Sequence, residues 1–278
     1  MLEVEVQFEA DRLIADFSLL IQQLRISELP FQIQNPIHMI VEDRHDFICE
    51  ASGFNDFNVI RVSRGAIVGT AGIASAWLRL YREVAASMPA DGRVVDLTLP
   101  ELVETAGHIK ANVEAILTGT PAVAPLDWGE DVLSLRLVSG MWLAIVLHEL
   151  AHLRREDGRD GHAEELECDR LACEILLPDV KTSIVDLLLG PAAGFMFLLI
   201  RGIHRPRAPR THPHPTNRIK HALLPRLRGA PDALWAFVGF VASLHLQAVS
   251  IEAVHEHESF RSSFEHCISK APELIERE

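Results

Sequence analysis

The chain has 278 residues, 48% of them hydrophobic and 23% charged, and its formal net charge is −13. This length and apolar content suffice for the core of one large domain and argue against disorder. The acidic balance argues against nucleic acid as the main partner, because phosphate backbones are bound by basic surfaces.

The N-terminal sequence and the cysteines indicate a cytoplasmic protein. The N-terminal residues, MLEVEVQFEADR, are acidic and lack the basic-then-apolar order of an export signal. Four cysteines in so long a chain do not form a disulfide framework, so a reducing compartment is the simplest setting. The best candidate for a membrane span, Leu187–Ile200, is shorter than ~20 residues and contains proline and glycine. We expect it to be a buried core segment and predict no membrane partner.

The residue pattern of the N-terminal third predicts a helix, a small sheet and a second helix. Apolar residues at helical spacing predict the first helix over 9–26, which Pro30 ends. Short runs with strand character, separated by turn residues, predict a small and mainly antiparallel sheet over 31–69. These runs are Phe31–Gln34, Ile37–Val41, Phe47–Ala51, Asn58–Ser63 and Ala66–Val68. The second helix is expected over about 71–86.

Helical periodicity and capping signals indicate that the rest of the chain is helical. The helices are expected over about 100–117, 131–154, 163–178, 181–203, 230–255 and 258–269. A loop rich in glycine and proline, over 118–129, precedes the second of these helices. The predicted fold class is therefore α+β and mainly α.

The apolar helix predicted over 131–154 ends in the motif H-E-x-x-H. Residues four apart share one face of a helix, so His148 and His152 point the same way and can bind one Zn²⁺. Glu149 follows the first of them and is placed to take a proton from a metal-bound water. A chance match of so short a motif is expected on a polar surface helix, whereas this one ends a strongly apolar segment. Its position therefore favours a metal site.

A catalytic zinc ion usually has three protein ligands and a water, so the next helix is expected to supply a third ligand. Glu165 and Asp169 lie four residues apart on one face of that helix. We predict Glu165 as the ligand and Asp169 as the acceptor of an N–H from a ligand histidine. Glu164 is expected on a solvated face. The thiols of Cys168 and Cys173 are alternative ligands, but their position among core residues favours packing.

Hydrolysis of a peptide bond also needs a donor for the developing oxyanion. The single tyrosine, Tyr81, lies in a helix far upstream, so histidine is favoured. The leading candidate is His212, in the proline-rich turn THPHP after the two metal-binding helices. Arg218 follows six residues later and is expected to orient Glu165 or to bind a substrate carbonyl. The remaining histidines are expected at the surface or satisfied within helices.

Three motifs in this order resemble those of gluzincin metallopeptidases: H-E-L-A-H (148–152), E-E-L-E-C-D (164–169) and T-H-P-x-x-x-x-R-I (211–219). The heat-shock and CAAX-processing membrane zinc proteases share elements of the second and third motifs. The soluble Lit family of bacterial phage-exclusion peptidases is more similar. There the resemblance extends upstream to Phe57–Val68, to the helix with Trp77 and to Asp96-Leu97-Thr98, and covers roughly residues 54–225.

The resemblance implies a zincin-like fold and a zinc endopeptidase. The implied site consists of the ligands His148, His152 and Glu165, the base Glu149, the supporting Asp169, and His212 and Arg218 lining it. We assign one metallopeptidase domain, 1–278, with a helix, small sheet and following helix in 1–90, metal-binding helices in 91–178 and a helical C-terminal part in 179–278.

The resemblance further implies a role in phage defence by cleavage of a host protein, elongation factor Tu. In zinc peptidases of this kind a sheet edge binds substrate as an added strand, and the candidate edges here are Asn58–Ser63 and Ala66–Val68. Two alternatives remain. One is a protease that cleaves a single repressor or antitoxin partner. The other is a regulatory binding protein that keeps the metal for structure, although such a site has no need of Glu149.

Overall fold

A computed structural model describes most of the chain. The described residues are 2–87, 111, 115, 131–154, 161–181, 184–204, 213–248 and 259–275, without the side chains of 2–9, 199, 201–204, 246–248 and 271–275. The loop predicted over 118–129 and all but two positions of the helix predicted over 100–117 lie outside them.

Helices make up most of the described chain. They are α1 (Leu2–Gln23), α2 (Arg64–Ser87), α3 (Val132–His152), α4 (Gly161–Leu176), α5 (Val185–His204), α6 (Pro215–Arg218), α7 (Leu224–Arg226), α8 (Asp232–Ala248) and α9 (Phe260–Ile275). A 3-10 turn, Ile26–Glu28, follows α1, and a π-helical turn, Ile219–Leu223, joins α6 to α7. With the small sheet described next, the protein is α+β and mainly helical, as the sequence predicts.

Three strands form one sheet between α1 and α2. They are β1 (Ile37–Glu42), β2 (Cys49–Gly53) and β3 (Asn58–Ser63), in the spatial order β1-β3-β2. The middle strand β3 pairs parallel with β1 and antiparallel with β2. The sheet is therefore mixed, and the expectation of an antiparallel sheet holds only for the β2–β3 pair.

The mixed topology arises because β3 inserts between the two strands that precede it. The link over 43–48 spans two inter-strand spacings, about 10 Å, to carry the chain from one edge of the sheet to the other. Consecutive strands usually pair, and alternation of apolar residues does not show which strand lies in the middle. Burial does show it, because every residue of β3 except Arg61 is buried. Two predicted strands are wrong: Phe31–Gln34 is irregular and Ala66–Val68 lies in α2.

Helix α3 is the central helix of the core. Asp131 caps its N-terminus by accepting hydrogen bonds from the N–H groups of Leu133 (2.9 Å) and Ser134 (3.1 Å). Neighbouring helices contact it on several sides: α2, α4 and α5 all pack against it. Among the described residues α3 is the one helix long and apolar enough to cross a membrane, yet half of its apolar window is buried inside the protein. A core helix has the same composition.

Small residues let α5 cross α3 at close range. A Cβ atom on Gly140 would lie only 2.6 Å from the Cδ atom of Pro191. A Cβ atom on Gly194 would lie 2.5 Å from the Cβ atom of Ala144. Any larger side chain at either position would push the helices apart. The close crossing brings α5 beside the C-terminal turns of α3, where the predicted metal ligands lie.

Candidate metal centre

The last turn of α3 and the first turns of α4 bring three predicted ligands together. The Nε2 atoms of His148 and His152 lie 3.2 Å apart. The carboxylate of Glu165 lies 3.4 Å from the first of these nitrogens and 3.3 Å from the second. His148 and Glu165 are each only 7% exposed.

The spacing of these donor atoms fits a zinc ion. Tetrahedral ligands that bind zinc at 2.0–2.1 Å lie about 3.3 Å from one another, and the three observed separations are close to this value. Two imidazoles and one carboxylate are also a common donor set of catalytic zinc, with the fourth position left for water. The residues present therefore fit the metal that the motif implies.

Asp169 lies beside His148 on the side away from the other donors. Its Oδ1 atom is 2.9 Å from the Nδ1 atom of His148, and its carboxylate accepts hydrogen bonds from the Nε (2.6 Å) and Nη2 (2.8 Å) atoms of Arg218. Asp169 is fully buried. Burial raises the pKa of Asp169, but Arg218 and His148 outweigh this effect and hold the pKa below its usual range. A carboxylate so placed keeps the proton of His148 on Nδ1 and leaves Nε2 for the metal.

Arg218 has Asp169 as its main partner, whereas the sequence predicts that it orients Glu165 or binds a substrate carbonyl. Its Nη2 atom lies 3.5 Å from Glu165, farther than from Asp169. The side chain is 8% exposed, and it lines the cavity described below. Arg218 is the last residue of α6, directly before the π-helical turn, a departure from regular helix that is frequent at functional sites.

His152 has a second acidic neighbour that the sequence reasoning missed. Its Nδ1 atom lies 3.4 Å from Glu164, which was expected on a solvated face. The buried thiol of Cys168 lies within 4.8 Å of a ring nitrogen of His152 and of the Glu164 carboxylate, so its environment is more than core packing. Glu164 and Glu165 are consecutive on α4 and contact opposite nitrogens of His152. Only the way α4 docks on α3 reveals this arrangement.

The acidic groups around the two histidines favour the positively charged form of each imidazole. Burial lowers the pKa of His148, but Asp169 and Glu165 outweigh this effect and raise the pKa to about 9. Burial also lowers the pKa of His152, but its hydrogen bonds with Cys168 and Glu165 raise the pKa to about 11. Burial raises the pKa of Glu165, but the two histidines hold it well below its usual range. These surroundings suit a bound cation.

Glu149 contacts the sheet rather than the histidines. Its Oε2 atom accepts a hydrogen bond from the backbone N–H of Ala51 in β2 (3.0 Å). Burial raises the pKa of Glu149, which brings this carboxylate closer to the range in which a general base works. The catalytic candidate is thus held by a strand almost one hundred residues earlier in the chain, a contact that no local sequence pattern shows.

Ala51 offers its N–H to Glu149 because β2 is an edge strand. The N–H of Phe54 donates to the carbonyl of Phe57 across the β2–β3 turn (2.8 Å). Along an antiparallel strand the residues that bond the partner alternate, so Ala51 directs its N–H away from β3. That outer edge faces a cavity that the histidines and Glu149 also line.

The expected substrate edges are therefore wrong. Asn58–Ser63 is the middle strand of the sheet, and its backbone pairs on both sides with β1 and β2. Ala66–Val68 is helical. The edge strand beside Glu149 is β2, which overlaps the third predicted run, Phe47–Ala51, over Cys49–Ala51.

A cavity of about 280 Å³ opens in front of the donors, close to the lower end of the range of ligand pockets. One wall is the edge strand β2 with the link before it, and the opposite wall is α5. The lining residues outside the metal-binding helices are Phe47, Ile48, Cys49, Glu50, Gly194, Phe195, Leu198 and Arg218. An apolar wall on α5 thus faces a strand edge that offers backbone groups.

The predicted oxyanion donor, His212, lies outside the described residues. His214, two residues later, caps α6: its Nδ1 atom accepts a hydrogen bond from the N–H of Thr216 (3.2 Å) and lies 2.6 Å from the Thr216 hydroxyl. The hydroxyl of Tyr81 donates to the carbonyl of Ala233 (3.3 Å), away from the lining residues.

A fold with a buried His–His–Glu cluster, an adjacent carboxylate and an open strand edge defines a site suited to hydrolysis of a polypeptide. Comparison with known families supports this class: the family model Peptidase U49 matches residues 140–238. The match covers about a third of the chain, from α3 to α8, and supports a peptidase, hence a hydrolase. Neither the curated proteins nor the solved structures contain a match to this chain.

Proposed function

We propose that this chain is a zinc-dependent endopeptidase with a zincin-like active site. The observation that carries the proposal is the mutual spacing of 3.2–3.4 Å among the donor atoms of His148, His152 and Glu165. The ion that these residues would hold supplies a Lewis acid that lowers the pKa of water and polarises a peptide carbonyl.

Glu149 acts as the general base in this proposal. It follows the ligand His148 on α3, and its Oε2 atom is oriented by the N–H of Ala51. It takes the proton of the attacking water and returns it to the amine that leaves. Asp169 and Arg218 keep His148 in the tautomer and orientation that the ligand role requires. His212 remains the proposed donor to the oxyanion.

The edge of β2 is the proposed binding site for an extended substrate segment. Its outer backbone groups lie beside the catalytic base, and a peptide added along this edge forms main-chain hydrogen bonds without regard to side chains. The apolar residues Phe195 and Leu198 face the same space from α5. An extended polypeptide, rather than a compact small molecule, is therefore the proposed substrate class.

The resemblance of three motifs to the Lit family supports a more specific proposal. The target is a cytoplasmic protein of the host, elongation factor Tu or another such factor, cleaved in defence against phage. The acidic net charge of −13 favours a protein partner over nucleic acid, and no membrane is required for the reaction.

The experiment compares cells that express the wild type with cells that express Glu149→Gln, by mass spectrometry of newly formed protein N-termini. The wild type is expected to create new N-termini in one or a few proteins, and the variant to create none. Both purified proteins are expected to hold one equivalent of zinc, because Glu149 is not a ligand. Glu83→Gln, at an exposed glutamate of α2, is the matched control.

The identity of the cleaved protein separates the alternatives. Cleavage of elongation factor Tu supports the defence role, and cleavage of a repressor or antitoxin supports the regulatory protease. Cleavage by Glu149→Gln at the wild-type rate would exclude the proposed base. Wild-type protein that holds zinc and cleaves nothing would favour a metal-stabilised binding protein.

A further inference from the structure

Two phenylalanines form an exposed aromatic pair at the turn between β2 and β3. Phe54 is 51% exposed and Phe57 is 39% exposed. Their rings stack with centroids 4.8 Å apart and an interplanar angle of 19°. His38 on β1 packs edge-on against Phe57, with ring centroids 5.7 Å apart. A contiguous apolar surface of this kind marks a place where another molecule binds.

The turn that carries the pair is fixed by side-chain amides. The Nδ2 group of Asn35 donates to the carbonyls of Phe54 and Asn55 (both 3.1 Å). The Nδ2 group of Asn58, which is 5% exposed, donates in turn to the carbonyl of Asn35 (3.1 Å). The two rings are therefore presented by a preformed turn, which lowers the entropic cost of binding against them.

The aromatic pair continues the strand edge that faces the catalytic base. The N–H of Ala51 contacts Glu149, and Phe54 follows three residues later, about 10 Å along a strand. A peptide that lies along β2 from the cavity therefore reaches the pair without a bend. The continuity of the edge with the turn selects the substrate segment itself as the occupant of this surface.

The pleat of the sheet determines which substrate side chain meets the rings. Successive side chains of a strand point to opposite faces, so Phe54 lies on the outer face of the sheet while Ala51 packs towards the core. Residues directly opposite each other on paired strands point to the same face. The substrate residue three positions from the one opposite Ala51 thus directs its side chain onto the outer face, beside Phe54.

We propose that Phe54 and Phe57 form a specificity subsite for an apolar or aromatic side chain of the substrate, three residues along from the residue opposite Ala51. The proposal rests on the proposed peptidase function of the cavity. The preferred residue lies N-terminal to the cleaved bond in a substrate that runs antiparallel to β2 and C-terminal in one that runs parallel. For either direction of the substrate, the two rings contact the substrate side chain at one fixed position.

The test profiles cleavage sites in a peptide library made from a digested proteome, with the wild type and with the double variant Phe54→Ala/Phe57→Ala. The wild type is expected to prefer apolar residues at one fixed position relative to the cleaved bond. The double variant is expected to lose this preference by about tenfold, the scale on which apolar pockets discriminate side chains. For a cleaved peptide that carries the residue, KM is expected to rise while kcat changes little.

Matched variants keep the outcome interpretable. Leu19→Ala removes a comparably exposed apolar side chain, 53% exposed on α1, and is expected to keep the wild-type profile. Phe54→Leu/Phe57→Leu keeps an apolar surface if the alanine variant fails to fold, and is expected to shift the preference from aromatic to aliphatic residues. Circular dichroism and zinc content verify that each variant is folded.

The outcomes separate this subsite from the peptidase activity. An active double variant with an unchanged profile overturns the subsite and leaves the peptidase intact, and so does a wild type with no preference at any position. A wild type that cleaves no peptide and no cellular protein overturns both. Loss of preference at the one position, with cleavage of peptides that lack the apolar residue retained, supports the subsite.

Discussion

The two histidines proposed as zinc ligands differ in the carboxylates that contact them. His148 faces the buried Asp169 at 2.9 Å, and Asp169 is neutralised by Arg218. His152 faces the partly exposed Glu164 at 3.4 Å. A buried and charge-paired carboxylate constrains an imidazole more strongly than an exposed one, because water competes with the exposed contact. Orientation of the centre should therefore depend on the first pair more than on the second.

Asp169→Asn tests this difference. The change removes the charge that balances Arg218 and replaces the acceptor that fixes the tautomer of His148. We expect zinc affinity to fall by about 10–100-fold, the usual effect of losing such a partner. The free energy of unfolding should fall by about 3–5 kcal/mol, because a buried cation loses its counter-ion. Chelator competition measures the affinity, and urea denaturation of the zinc-free protein measures the stability.

Glu164→Gln is the matched variant on the other histidine. Its contact with His152 is longer and open to water, so zinc affinity should change by less than in Asp169→Asn. An Asp169→Asn protein that binds zinc as tightly as the wild type would exclude the role of Asp169 as support of the centre.

At the scale of single residues, helical spacing alone placed most of the candidate site. The four-residue spacing of His148 and His152, and of Glu165 and Asp169, fixes which side chains share a face, and the structure brings all four together. The contact of Glu164 with His152 was missed because spacing within α4 does not show which faces of α4 meet α3. The N–H of Ala51 was missed because a backbone donor leaves no mark in the sequence.

At the scale of elements, β2 contacts the proposed catalytic base and is also the proposed edge for substrate. The N–H of Ala51 points outward and takes no part in the β2–β3 ladder. Proline is tolerated at such a position of an edge strand, because no ladder hydrogen bond is lost. This property allows the donor to be removed while the sheet is kept.

Ala51→Pro removes the N–H that donates to Glu149, and with it the hydrogen bond that orients the proposed base. We expect kcat/KM to fall by up to about tenfold, since one hydrogen bond contributes about 0.5–1.5 kcal/mol and 1.36 kcal/mol is a factor of ten. Zinc content should stay at the wild-type level. Ala51→Ser keeps the N–H and is the control. Equal activity of the proline and serine variants would contradict a catalytic or binding role for this N–H.

The elements themselves were predictable to different degrees. Helix α3 is a long apolar segment that begins after the cap residue Asp131, and α4 ends just before Pro178. The predicted bounds of both helices are close to those observed. The sheet was harder, because the order β1-β3-β2 depends on a strand that inserts between two earlier ones. A strand run in a sequence shows its length and its faces but not its neighbours.

At the scale of the whole molecule, the region matched by the family model covers only part of the proposed functional site. The match over 140–238 includes the turns of α3 and α4 that carry the proposed metal ligands and ends in α8, but it leaves out the sheet. The residues proposed to bind the metal thus lie in the part of the chain that resembles a known family. The strand edge and the aromatic pair, which are proposed to select the substrate, precede residue 140 and lie outside the match to the family model.

The centre also joins elements that are far apart in the chain. His148 and His152 lie on α3 and Glu165 lies on α4, and the support from Asp169 extends the cluster to Arg218 on α6. A ligand that binds only the folded state stabilises it by RT ln(1 + [L]/Kd), about 4.1 kcal/mol at a thousand times Kd. A bound zinc ion should therefore act on the stability of the whole fold.

Removal of the metal tests this coupling. For a chain larger than 150–250 residues, each kcal/mol shifts Tm by about 2–4 °C at most. A chelator should therefore lower Tm by up to about 8–16 °C relative to protein in excess zinc. Differential scanning calorimetry measures the shift, and added zinc but not calcium should restore Tm. In Glu165→Gln the decrease in Tm on adding chelator should be smaller, because an amide oxygen is a weaker ligand than a carboxylate. An equal shift in that variant would place the stabilising ion outside the His148–His152–Glu165 centre.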